Sequence, residues 1–360
     1  MPLYKEDAMN MEIPEIRKAR MIDTRRLEVF WSQAVVNSQY SENIGVYHKG
    51  RRIATYERSD DEEWDRGTVY EEGKRKTTYF MNEEIDCTHM EEYSIQVLKN
   101  IRSTDVPGIP ADPQRSYTIT YEPYYTNFTT CACGVVIKSN SRVSEEAHAM
   151  AKTIVDFMLL KLPEASAILK GAGAELAIYA KDEDAYEIPE HRAGCLFLHR
   201  PVEGFGGTME IPTTSISEVN VLHILEGEHI TRYTHECILV HEFAHAVHLI
   251  GINYMKDTSL ADECRAIYAA AKEEGLWPHT YAISNYEEYF ATLSTVWFNV
   301  MEEGKDGTWD GTRGPVNTRA ELKEYDPRAY AFFEKIYSSQ YLPAPWDTYE
   351  DAYDIHGNRR

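Results

Sequence analysis

The sequence predicts an α+β protein in two parts: a sheet-rich N-terminal domain over residues 1–140 and a helix-and-strand domain over 141–340. An extended tail, 341–360, follows. Three observations carry this. Short β-branched and aromatic runs separated by turn residues fill the stretch from 42 to 138. Longer segments with helical spacing of apolar residues dominate after Ser141. The length of 360 residues suits two domains and buries a core without disulfides or a structural metal.

Residues 14–38 carry Ile16, Met21, Ile22, Leu27, Phe30 and Trp31 at spacings compatible with one or two helical segments. Arg17, Lys18, Arg20, Arg25 and Arg26 then read as a solvated helix face. Ile44–Tyr47 and Ile53–Tyr56 flank a turn at Lys49-Gly50, and Thr68–Tyr70 and Thr77–Phe80 flank another around Gly73. The aromatic run 117–139 supplies two more strands. Ser144 caps a helix predicted over 145–162 that stops at Pro163. Ala174–Ala180 is a buried strand, and Gly194–His199 (GCLFLH) a second. The glycine cluster at 204–207 lacks the lysine and the strand-to-helix setting of a phosphate loop and reads as a turn. Helices are expected over 234–250, ended by Gly251, over Ser259–Glu274, and from Tyr286 to about Met301.

Composition narrows the function. The net charge is −22, from 37 basic against 59 acidic residues, and that field repels nucleic acid and anionic membrane surfaces. No apolar run of about 18 residues occurs. Six cysteines are too sparse for a disulfide framework and read as free thiols; the close pair Cys131-Ala-Cys133 does not have a common zinc spacing. Free thiols and a charged N-terminus without a signal-peptide core point to a cytoplasmic protein.

One motif carries chemistry: His241-Glu242-Phe243-Ala244-His245. Four residues apart on a helix, both imidazoles reach one metal ion. Glu242 lies about 100° round the helix from His241, where it meets water at the metal rather than the metal itself. Catalytic zinc takes three protein ligands, so a third is needed. Position 251 is Gly, which excludes a third histidine six residues past His245. His248 is read as packed behind the site or in the core. Glu263 and Glu288 remain as candidates.

The stretch from His241 to Ala291 resembles the catalytic domain of lethal-factor-type gluzincins, the zinc peptidases with a glutamate third ligand. The resemblance runs through HEFAHAV, resumes at Lys272-Glu273-Glu274-Gly275, and continues without a gap through Tyr281, Asn285, Glu288, Phe290 and Ala291. It covers about 50 residues of the 360. It implies a zincin-like metallopeptidase catalytic domain over 141–340. Zn²⁺ would be held by His241, His245 and Glu288, with Glu242 as general base and Tyr281 as the assisting phenol. One position departs from the family: four residues after the ligand stands Thr292 where these peptidases have a second glutamate.

The expected function is therefore a zinc-dependent hydrolase, a peptidase before all else, acting on a peptide or small-molecule substrate. The motif specifies an activated water and not what it attacks, so a zinc hydrolase or lyase of small non-peptide substrates is the alternative. A binding or toxin-like module with a vestigial zinc site is a third reading, against which the intact Glu242 argues.

Overall fold

The structure, a computed structural model, describes residues 13–53, 55, 68–104, 110–113, 115–192 and 202–346. It is mixed α+β, with strands dominating the N-terminal region and helices the C-terminal part. The chain divides into two compact units, Met1–Tyr124 and Tyr125–Arg360. No helix among the described residues is long and apolar enough to cross a membrane.

The first unit is built of strands from its start. Residues 14–38, expected as helix, instead form β1 (Ile16–Met21), β2 (Arg26–Trp31) and the short β3 (Val35–Val36). The reason is the alternation in β2: Leu27, Val29 and Trp31 point into the core. The basic residues are not a solvated helix face. Arg20 pairs with Glu28 and Glu122, Lys18 with Glu122, and Arg26 with Asp23. β4 (Ile44–His48), β5 (Arg51–Ile53), β6 (Val69–Glu71), β7 (Lys76–Phe80) and β8 (Tyr93–Val97) follow. Then come β9 (Arg102–Ser103), β10 (Ser116–Thr118) and β11 (Thr120–Tyr121). They pair in the orders β11-β1-β2-β7-β6 and β10-β8-β4-β5, with β3 and β9 as a separate pair. Leu27, Val29 and Tyr79 of the first sheet join Ile44, Val46 and Ile95 of the second in one apolar cluster.

The second unit opens with β12 (Asn127–Thr130) and β13 (Val136–Ser139). These strands fall within the 1–140 stretch expected of the first domain, yet β13 runs parallel to β14 (Glu175–Tyr179), and β14 parallel to β16 (Thr213–Ser217). β15 (Gly204–Phe205) closes the sheet antiparallel to β16, giving the order β12-β13-β14-β16-β15. The helices are α1 (Glu145–Met158), α2 (Pro163–Gly171), α3 (Glu218–Val221) and α4 (Ile238–Ala246), then α5 (Ser259–Glu273), α6 (Tyr286–Trp297), α7 (Arg319–Tyr325) and α8 (Pro327–Ile336). Helix α4 continues into a wider π turn at Val247–Gly251. The expected strand at 194–199 and the tail beyond 346 lie outside the described residues, as do positions 54 and 56 of the expected second hairpin strand. Up to Trp346 the tail is docked: its indole donates to the Val221 carbonyl at 3.3 Å and stacks on His223 at 4.1 Å.

One core serves the whole second unit. Ile137, Leu176, Ile178 and Ile216 from the sheet join Phe243, Val247, Phe290 and Phe333 from the helices. Helices α4 and α6 pack side by side inside this core. Their registers are therefore held by buried side chains rather than by loops, which is what a precise site needs.

Candidate metal centre

Helix α4 carries the His-Glu-x-x-His motif, and its start is held by a residue from elsewhere. Cys237, at the N-cap, offers no side-chain cap. Buried Asn220 of α3 takes over: its Oδ1 accepts from the Ile238 and Leu239 amides at 2.9 and 3.4 Å. Its amide nitrogen donates to Thr231 Oγ1 and the Glu236 carbonyl. Glu288 sits in the first turn of α6, whose N-cap Asn285 accepts from the Glu287 and Glu288 amides at 2.9 and 2.8 Å. Both helices are thus locked at the ends that matter to the site.

His241, His245 and Glu288 come together. Their donor atoms all lie within 4.8 Å of one another. His241 Nε2 stands 3.1 Å from Glu288 Oε2, and His245 Nε2 stands 3.5 Å from the same oxygen. Ligands at zinc's usual bond lengths of about 2.0–2.2 Å in a tetrahedron are roughly 3.3 Å apart. The two separations bracket that edge, so this donor set could hold a zinc ion. Glu263, the other candidate, is elsewhere: its carboxylate pairs with Lys335.

The electrostatics follow from burial and crowding. Burial lowers His241, but the hydrogen bond to Glu288 and the charges of Glu242 and Glu288 outweigh it and raise the imidazole to about 9. Burial opposes ionisation of Glu288 too, and the two histidines overcome it, holding its carboxyl well below the usual range. His241 and Glu288 thus favour the charged forms of an ion pair. For Glu242, burial pushes the carboxyl up against the lowering pull of the histidines.

Tyr281 approaches from the loop before α6. Its hydroxyl donates to Glu288 Oε1 at 3.1 Å, and its ring faces that of His241 with centroids 6.2 Å apart. The loop is pinned by the Tyr281 amide on the Thr312 carbonyl at 2.8 Å and by the Trp277 indole on Asp326 at 3.1 Å. The residue is 45 % exposed.

Two features escape the motif. The glycines at 204–207 do more than turn the chain. A Cβ on Gly204 would fall 2.7 Å from Glu242 Cγ, and one on Gly206 would fall 2.4 Å from His245 Cβ. Glycine is required because this segment lies directly on helix α4. The other feature is what surrounds the ligands. His241 Nδ1 and Thr292 Oγ1 are buried without a hydrogen-bond partner, so no carboxylate orients that imidazole from behind. His248 is in the core, stacked on Phe290 at 4.6 Å with both ring nitrogens unpartnered.

No family model matches the chain, and no curated protein matches it. Nine chains of solved structures do. They include surface layer protein SbsC, domains 1–6, and the S-layer protein rSbsC(31-844). Each is 15 % identical, with 36 % of this chain and 19 % of that chain covered and a TM-score of 0.26. The N-terminal part of the bacterial S-layer protein SbsC is 12 % identical over 36 % of this chain and 31 % of that one, with a TM-score of 0.25. This chain spans less than a third of their length, and a likeness this slight carries no argument about fold or function.

Proposed function

We propose that the chain is a zinc-dependent peptidase of the gluzincin kind, its second unit a zincin-like catalytic domain. The observation that carries the reading is the convergence of His241, His245 and Glu288 at tetrahedral spacing beside Glu242. His241 Nε2, His245 Nε2 and the Glu288 carboxylate would hold the ion. Zinc supplies Lewis acidity at such a site, activating water and polarising a carbonyl.

The chain's own residues supply the rest. Glu242 takes the proton of the attacking water and returns it to the leaving amine. The Tyr281 hydroxyl donates to the oxygen on which negative charge develops, exchanging its bond to Glu288 for one to the substrate. Strand β15 favours a peptide over a small molecule. It is the sheet edge beside Glu242, with no ladder partner on its outer side among the described residues. An extended peptide can pair its backbone along such an edge and present a carbonyl to the site.

The test is Glu242→Gln, which keeps the side chain's size and removes the base. Peptide cleavage, read by mass spectrometry on a mixed library, should fall by about 100 to 10,000-fold with zinc content unchanged. A variant that cleaves at the wild-type rate refutes the role of Glu242. A wild-type protein that holds zinc but cleaves no library peptide refutes the peptidase reading.

A further inference from the structure

The turn joining β12 to β13 carries Cys131-Ala132-Cys133. It is tight: the Cys131 carbonyl accepts from the Gly134 amide at 3.0 Å, the Cys131 amide donates to the Val135 carbonyl at 2.9 Å, and Gly134 adopts φ +93°. Both sulfurs and the Asp156 carboxylate of α1 lie within 4.8 Å of one another. Cys131 is buried and Cys133 half-buried, so Cys133 is the more accessible of the two.

Such a trio invites a metal, but the carboxylate is already engaged. Asp156 accepts from the Ala132 amide at 3.1 Å, the Cys133 amide at 3.0 Å and Lys152 Nζ at 2.9 Å, besides the Cys133 thiol. Its lone pairs hold the turn in place, and the Lys152 ammonium beside it opposes a second cation. The groups left with redox chemistry of their own are the two thiols.

We propose that Cys131 and Cys133 form a reversible thiol–disulfide exchange pair, Cys133 attacking a low-molecular-weight disulfide and Cys131 resolving the product. Two residues apart in a turn, their Cα atoms fall below the roughly 7 Å limit for bridging. The hydrogen bond from Cys131 holds the Cys133 thiol below its ordinary value, and the same bond, with burial, pushes Cys131 up. Burial pushes the other described cysteines up as well: Cys87 to about 11, Cys237 and Cys264 to about 12. An accessible thiolate beside a buried thiol is the arrangement of a nucleophile with its resolving partner. A loop this short adds little chain-entropy stabilisation, so the disulfide remains reducible.

The chemistry balances. The Cys133 thiolate attacks one sulfur of RSSR, whose S–S bond breaks; RS⁻ leaves and takes up the proton that Cys133 gave up. Cys131 then loses its proton, and its sulfur displaces the second RS⁻ from Cys133, which takes up that proton. Two thiols become one disulfide while RSSR becomes two RSH.

The experiment uses the reduced full-length chain with oxidised glutathione, followed by alkylation and peptide mass spectrometry. The peptide holding residues 131–133 should lose two thiols to an internal disulfide that dithiothreitol reverses. Cys131→Ser should stop at a glutathione adduct on Cys133, and Cys133→Ser should leave Cys131 unmodified. At pH 7 iodoacetamide should label Cys133 about tenfold faster than Cys87, or more. Free thiols at both positions after exchange, or labelling of Cys133 no faster than Cys87, overturns the proposal. Protection of both thiols by Cd²⁺ without any exchange overturns it in favour of a soft-metal site.

Discussion

His248 should make the protein acid-sensitive in a way one substitution removes. Its imidazole is fully buried against Phe290 and Tyr286 with both nitrogens unpartnered. Burial, then the charges of His245 and Arg265, depress it from 6.5 to about 3. The unfolded chain therefore binds a proton below pH 6.5 that the folded chain refuses until about pH 3. Stability from this group is fully present above the unfolded value and is lost as pH falls through that window, at about 1.4 kcal/mol per pH unit. At pH 4.5 the loss is on the order of 3 kcal/mol. His248→Leu removes the titrating group and both unsatisfied nitrogens at similar volume, so it should cost little at pH 7.5. Urea unfolding of both proteins at pH 7.5 and 4.5 isolates the effect, because all other titrating groups are shared. The gap should move by a few kcal/mol, on the order of 3, in favour of the variant at the lower pH. Parallel pH profiles would refute the reasoning and place a proton or a partner on His248 in the folded state.

Two further outcomes follow from the site. Gly206→Ala places a Cβ 2.4 Å from His245 Cβ and should displace that imidazole, weakening zinc binding by about 10 to 100-fold as misoriented ligands do. Gly171→Ala meets nothing within 4 Å and should leave zinc titrations unchanged; equal effects at the two positions would show that the close approach is not what matters. Tyr281→Phe keeps the ring and removes the hydroxyl, so turnover should drop by about 100 to 1,000-fold with zinc content, melting temperature and substrate affinity retained. Wild-type turnover would make Tyr281 structural.

What the sequence made legible was local. His241, Glu242 and His245 lie within five residues, and helical spacing alone brings the two imidazoles together. Glu288 is 43 residues beyond His245, and only the family resemblance set it above Glu263. Asn220 could not be foreseen as the cap of α4, because the contact spans the irregular connection between α3 and α4, which leaves no periodic trace. Residues 14–38 mislead because Ile16, Met21 and Ile22 mimic a helical stripe, while Phe30, apolar on the face opposite Leu27, Val29 and Trp31, blurs the alternation that marks a strand. Strands β12 and β13 look like a continuation of the preceding sheet texture. Their parallel partner β14 arrives a helical pair later, so the division at residues 124–125 depends on pairing that composition does not record.

The central claim is that His241, His245 and Glu288 form a zinc site, and zinc affinity measures it most directly. Chelator-competition titrations of the wild type, Glu288→Ala, Glu263→Ala and the His241→Ala/His245→Ala double variant give the comparison. A single zinc per chain should bind the wild type, and Glu263→Ala should match it, because Glu263 is occupied with Lys335. Glu288→Ala should lose more than the roughly 10 to 100-fold that an outer partner costs, and the double variant should bind none. Full zinc in the double variant, or a larger loss from Glu263→Ala than from Glu288→Ala, would contradict the account.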